Sequence, residues 1–277
     1  MNDLEDFEPY TPGYDKAIYA MEAQDLTDDL NGYVHSIESM TAVDGQGIRY
    51  IVFLQGCNLR CLYCCNPDSW KYGASSKQTV SEVIRGLKRA LPYIKASDGG
   101  GITIGGGDPL TQPNFCAALC KAARELGVTA AVETAGHSKD RTAWDIVVPH
   151  CDFVILCAKA FTADVFKKLT KGGSLAKMIE FAEFCVEKGV PIWLTYVVLP
   201  GYTDSDAEIE GLCQFLQRED MQHGVSRVEI LPYHTLGKYK FAELGLKYPL
   251  EGVERPSSEL LNSIVERVRK VHSNVYL

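Results

Sequence analysis

Cys57, Cys61 and Cys64 stand in a C-x3-C-x2-C arrangement on a segment that opens with Gly56. Three thiolates on one loop hold three irons of a [4Fe–4S] cluster and leave the fourth open, whereas an electron-carrying cluster ordinarily takes four protein thiolates. An open iron is a place for a small molecule to bind. Cys65 follows directly, but adjacent residues of one short loop rarely point at the same ion. Two other readings compete: a zinc knot, which wants a second pair of ligands downstream, and thiols buried by coincidence. Of ten cysteines in the chain, four fall within 57–65 and six are scattered. A disulfide framework belongs to short secreted chains, so a tight cluster in a chain of 277 residues points to metal or redox chemistry.

The elements that must position this loop alternate regularly. Strand patterns at 48–54, 101–104, 128–133, 153–157, 191–199 and 227–231 interleave with helical patterns at 79–93, 114–126, 141–147, 174–188, 204–218 and 257–271. Thr79 and Glu82 form a capping box that starts the first helix. Six strand–helix units without repeats or long linkers mean a parallel sheet with covering helices. Six are too few for a closed eightfold barrel, so the expected fold is α/β, a partial barrel or an open doubly wound sheet. Function then collects where the strands end. The cysteine motif follows the first strand, and Gly105, Gly106, Gly107 and Asp108 follow the second. Glu133 and Thr134 close the third, Lys159 follows the fourth, and His234 lies past the sixth. Glycines at such a place let backbone approach a ligand closely, although a tight turn uses them too. Glu133 and Lys159 could equally be solvated strand-end charges, and His234 a satisfied structural histidine. Cys116 and Cys120, four apart on one helix, and Cys151, Cys185 and Cys213 read as core thiols.

The charge is unevenly placed. Residues 1–32 carry nine acids and a single base, Lys16, which accounts for the whole net charge of −8 and leaves residues 33–277 neutral. This segment reads as an appended arm, either a solubilising tail or a docking or lid element helped by Tyr10, Tyr14, Ile18 and Tyr19. A pI near 5.3 argues against nucleic-acid partners. No run approaches the ~18 apolar residues of a membrane span, and the acidic start is unlike a targeting peptide. The expected location is the cytoplasm, away from the membrane.

Together the motifs resemble the radical S-adenosylmethionine (SAM) superfamily, and within it the activating enzymes of glycyl radical enzymes. The resemblance is carried by Val43-Asp44-Gly45-x-Gly47-Ile48-Arg49, Gly56-Cys57 through Asn66-Pro67, Gly99-Gly100-Gly101-Ile102-Thr103, Glu133-Thr134-x-Gly136 and Leu231-Pro232-Tyr233-His234-x-Leu236-Gly237-Lys238-x-Lys240. It runs from about residue 32 to the C-terminus and implies a partial (β/α)6 TIM-like barrel over 33–277. By that resemblance Cys57, Cys61 and Cys64 ligate a [4Fe–4S] cluster whose open iron takes the amino and carboxylate groups of SAM. Tyr63, Cys64 and Cys65 lie on the SAM side of the loop, Tyr63 beside the adenine. Gly105, Gly106, Gly107 and Asp108 receive the methionine amino group. Glu133 and Thr134 meet that amino group, the ribose or a monovalent cation; Lys159 meets a carboxylate or the ribose; His234 contacts SAM.

The implied activity is that of an oxidoreductase. SAM is cleaved reductively to methionine and a 5′-deoxyadenosyl radical, which takes a hydrogen atom from a glycine Cα of a partner glycyl radical enzyme of the pyruvate formate-lyase type. No side chain reacts beyond the cluster and SAM. Flavodoxin or ferredoxin supplies the electron, because the eight-cysteine insert of larger activating enzymes is absent between Asn66 and Asp98, and the enzyme is expected to be a monomer. Alternatives are SAM cleavage directed at another protein or peptide, and a non-catalytic iron–sulfur or zinc protein with a degenerate SAM pocket. The chain departs from the family pattern at five places: Gln46 for proline, Cys65 for histidine, Asp108 for glutamate, Cys157 for aspartate and Thr195 for arginine. The last two remove one acid and one base from the same pocket.

Overall fold

The computed structural model describes Thr27 and residues 30–277. Almost all of the acidic arm of residues 1–32 therefore lies outside the described residues. Its last two positions, Asn31 and Gly32, belong to β1 (Asn31–Thr41).

The apolar runs pair side by side into the expected parallel array. β2 (Arg49–Leu54), β4 (Gly101–Gly106), β5 (Thr129–Thr134), β6 (Phe153–Ala158), β7 (Ile192–Val198) and β8 (Val225–Pro232) lie in chain order, each parallel to the next. β1 adds antiparallel to β2, β3 (Lys77–Thr79) antiparallel to β1, and the two-residue β9 (Val275–Tyr276) parallel to β8. Among the described residues the nine-stranded sheet starts at β3 and stops at β9, and the two edges do not pair. This is the partial, unclosed barrel.

Helices cover the outside: α1 (Val80–Ala96), α2 (Pro113–Glu125), α3 (Thr142–Val147), α4 (Ala163–Thr170), α5 (Leu175–Glu187), α6 (Asp206–Gln217), α7 (Glu219–Gly224), α8 (Lys238–Glu243) and α9 (Ser258–Arg269). The capping box at α1 is present in both directions, Glu82 N–H to Thr79 Oγ1 at 3.2 Å and Thr79 N–H to Glu82 Oε2 at 2.7 Å. Parallel strands sandwiched between helices and barrel interior are buried on both faces and so read as continuous apolar runs. Tyr50, Ile51, Val52 and Leu54 of β2 are all buried. β1, β3, α4, α7, α8 and β9 fall outside the sequence expectation. β1 lies between β3 and β2 but has few buried side chains and two register shifts, so it lacks an apolar run; the others are short.

Arg49 closes the lower end of the first three parallel strands. It is fully buried, yet its guanidinium is satisfied by Thr103 Oγ1 at 2.9 Å, Thr129 Oγ1 at 2.6 Å, the Gly99 carbonyl at 3.1 Å and the Ile102 carbonyl. It also lies 5.4 Å over the Phe153 ring. Burial lowers its pKa to about 10, so it stays charged at neutral pH. Removing one side of such a network strands buried acceptors. Arg49→Met is expected to lower the unfolding free energy by about 2–3 kcal/mol, read as a shift of the urea midpoint at unchanged slope.

Candidate active site

The cysteine loop is fixed by backbone hydrogen bonds rather than by its thiols. Gly56 N–H donates to Ser69 O at 2.7 Å and Cys57 N–H to Trp70 O at 3.2 Å, which closes the loop on itself. Arg60 N–H reaches Thr170 O at 3.0 Å and Leu62 N–H reaches Leu169 O at 2.9 Å, so the loop leans on the end of α4. The glycine loop after β4 packs against its start. Gly107 N–H donates to Leu54 O and Asp108 N–H to Gly56 O, both at 2.8 Å. Gly106 has φ +106, and a Cβ there would sit 2.4 Å from Leu54 N; one on Gly107 would sit 2.1 Å from Gly56 O. Glycine is required at both because two backbones touch.

A cavity of about 390 Å³ opens above these loops at the C-terminal ends of the strands, within the range of small-molecule sites. It is lined by Cys57, Cys61, Tyr63, Cys64, Cys65, Gly106, Gly107, Asp108, Glu133, Thr134, Lys159 and His234. Of the residues singled out from the sequence, Gly105 alone is not in the lining; a Cβ there would come 2.8 Å from Glu133 Oε2.

Several of these side chains are engaged with one another. Asp108 is buried, and its carboxylate accepts from Leu110 N–H at 3.0 Å, Ala135 N–H at 3.2 Å and the Thr134 hydroxyl at 2.8 and 2.9 Å. Burial pushes its pKa up to about 6 against those hydrogen bonds. Glu133 accepts from the Cys157 thiol at 3.3 Å, which occupies the place of the family's acid. Burial opposes the charge of Lys159, but the surrounding Cys157, Tyr63, Cys61 and Glu133 groups hold it protonated, its pKa well above the ordinary value. Its Nζ lies 5.7 Å over the Tyr63 ring. His234 Nδ1 accepts from Leu236 N–H at 3.3 Å, and Nε2 lies 3.8 Å from Cys65 Sγ. Burial, then Arg255, lowers the His234 pKa, which keeps the ring neutral.

Asp44, Asn66, Trp70, Thr195 and Tyr233 also line the cavity. Asp44 was visible only as a member of the Asp-Gly-x-Gly turn; its φ of +58 turns the chain beneath the cavity. Burial, then the charges of Glu133 and Glu229, raise its pKa to about 7.

The donor chemistry fits an iron–sulfur cluster. No group of three or more His, Cys, Asp or Glu side chains among the described residues converges on a single ion position, as a zinc knot would require. A four-iron cluster instead takes one thiolate per iron. The Cys57 sulfur accepts Leu59 N–H at 3.4 Å, and the Cys64 sulfur accepts Asn66 N–H and the Trp70 indole, bonds that stabilise ligating thiolates. Tyr63 Oη is buried without a partner, an open hydrogen bond facing whatever fills the cavity.

The family described as the radical SAM superfamily matches residues 51–213, more than half of the chain, and the chain belongs to it. The curated "pyruvate formate-lyase-activating enzyme" of Staphylococcus epidermidis is 40% identical over 251 residues, covering 88% of this chain and 97% of that protein. That of Listeria monocytogenes is 39% identical over 249 residues, covering 86% and 97%. Among solved structures, Streptococcus suis SuiB bound to S-adenosylmethionine superposes with a TM-score of 0.59 at 16% identity, over 80% of this chain and 47% of SuiB; at that identity the likeness is one of fold.

Asp44 generates a pH prediction. With its pKa at about 7 folded and 3.8 as the ordinary value, the folded state holds the extra proton between those limits. Stability from this group is therefore complete below pH 3.8 and is lost as pH rises through about 7. Asp44→Asn is expected to flatten the fall in unfolding free energy between pH 5 and 7 by up to about 1.4 kcal/mol per pH unit, measured by urea titration at each pH.

Proposed function

We propose that this chain is a radical SAM activase that cleaves S-adenosylmethionine reductively and abstracts a glycine Cα hydrogen from a partner glycyl radical enzyme of the pyruvate formate-lyase type. The observation that carries the reading is the single cavity that joins Cys57, Cys61 and Cys64 to the glycine loop, Glu133, Lys159 and His234, in a chain 40% identical over most of its length to a protein of that name. Cys57, Cys61 and Cys64 would hold the [4Fe–4S] cluster. When bound, cluster and SAM supply the electron transfer and the radical; the protein supplies aim and dryness.

The residues have distinct tasks in this reading. Gly106 and Gly107 offer backbone to the methionine amino group. Asp108 acts mainly through Thr134 and Ala135, holding the glycine loop to the end of β5. Lys159 presents a permanent cation to a carboxylate or ribose, and Tyr63 a ring and an unpaired hydroxyl to the adenine side. His234, neutral, closes the rim beside Cys65. Glu133, with Asp44 nearby, is the acid available to the ribose or a monovalent cation. The electron would come from flavodoxin or ferredoxin to a monomeric, cytoplasmic enzyme. No helix among the described residues is long and apolar enough to cross a membrane.

The test is anaerobic reconstitution followed by assay of 5′-deoxyadenosine with SAM and reductant, and of the glycyl radical by EPR with a candidate lyase. Cys61→Ala is expected to bring 5′-deoxyadenosine to the level without protein, while Cys65→Ala keeps its iron content and most of its yield. A full yield from Cys61→Ala would sink the cluster assignment.

A further inference from the structure

The segment that follows the cysteine loop is clasped from outside by an element with no part in the reading above. Lys240, on α8, is the centre of the clasp. Its Nζ donates to Asn66 Oδ1 at 2.8 Å and to both carboxylate oxygens of Asp68, at 3.1 and 3.0 Å. The Lys240 side chain is 16% exposed and that of Asp68 32%, so the pair is largely withdrawn from water and its geometry is held. Asp68 also receives His35 Nε2 at 2.9 Å from β1. Three elements distant in sequence thus meet on one carboxylate.

What hangs from the clasp matters more than the clasp itself. Asn66 supplies the backbone N–H, and Trp70 the indole N–H, that point at the Cys64 sulfur. Trp70 in turn packs edge-on against Phe241, the neighbour of Lys240, with ring centroids 5.6 Å apart. At the other end of the same helix Gly237 lies so close to the loop that a Cβ would meet Cys64 O at 2.6 Å and Cys65 Cα at 2.7 Å. α8 therefore seats on the residues around Cys64 by backbone contact, ring contact and ion pair together. N–H donors to ligating sulfurs and nearby charge are the protein's means of setting a cluster's reduction potential.

We propose that Lys240 is a positioning residue for the cluster: by clasping Asn66 and Asp68 it fixes the two N–H donors on the Cys64 sulfur and so raises the cluster's reduction potential. The proposal rests on the function proposed above, since it presumes a cluster on Cys64. Charge and position make opposite demands on Asp68, which allows them to be separated. If Asp68 acted only as a nearby negative charge, removing it would make the cluster easier to reduce. If it anchors the clasp, removing it frees the donors and makes the cluster harder to reduce.

The test is an anaerobic redox titration of the reconstituted full chain, following the EPR signal of the reduced cluster, for wild type, Lys240→Met, Lys240→Arg and Asp68→Leu. Lys240→Met and Asp68→Leu are both expected to shift the midpoint to more negative potential with an altered EPR signature, and Lys240→Arg to restore it. A positive shift in Asp68→Leu, or a wild-type midpoint and signal in Lys240→Met, overturns the proposal. If Lys240→Met does not retain a cluster, Lys240→Gln replaces it with the same expected direction and the same overturning result. Cluster-free protein gives a second arm: amide hydrogen exchange over residues 64–70 should quicken in Lys240→Met and Asp68→Leu while β4 and β5 stay unchanged. Unchanged exchange there overturns the clasp, whereas wild-type protein that takes up no iron and sulfide overturns the proposed function alone.

Discussion

The close approach of two backbones, Gly56 at the head of the cysteine loop and Gly107 in the loop after β4, is the constraint on which the site depends. The hydrogen bonds from Gly107 and Asp108 to Leu54 and Gly56 leave no space for a side chain between the loops. They set the distance between the thiols and the glycine-rich rim. Asp108 carries the same constraint one strand further, because its buried carboxylate binds Thr134 and Ala135 at the end of β5. From Leu54 to Ala135, the positions of the cavity wall follow from main-chain contacts and one carboxylate.

The alternation of six strands and six helices was legible because buried parallel strands leave uninterrupted apolar runs and the helices between them leave capped, periodic patterns. Most of the candidate site was legible for a related reason: strand ends are easy to place once the strands are, and Cys57, Glu133, Lys159 and His234 all sit at or just beyond one. Several of the elements that escaped, β1, α4 and α8, grip the cysteine loop from outside. β1 is half exposed, α4 is eight residues long and α8 six, too short or too polar to leave a periodic trace. Pairings were equally hidden. That Asp108 would spend its oxygens on Thr134, or that Asp44 would face Glu133 and Glu229, depends on contacts between residues distant along the chain, about which local pattern is silent.

The exchange of an acid and a base for Cys157 and Thr195 has a local solution. The two residues are direct neighbours in the β6–β7 register. The Cys157 thiol donates to Glu133, so the carboxylate gains a neutral donor where a charged pair once stood in the family pattern. Lys159 is left as the cation in the wall nearest to that acid, and its charge is held there by its surroundings. The pocket has kept its balance with fewer charges, which lowers the desolvation cost of closing it.

The way the cysteine loop is held has a consequence for how the protein matures. In a zinc finger the metal supplies the folding energy, and the chain without it is unfolded. Here four peptide hydrogen bonds tie the loop to Ser69, Trp70, Leu169 and Thr170, and none of those four uses a thiol. The scaffold can therefore be complete before any iron arrives. Loading becomes a docking event onto a prepared surface, and loss of the cluster to oxygen should leave behind a folded protein ready to be refilled.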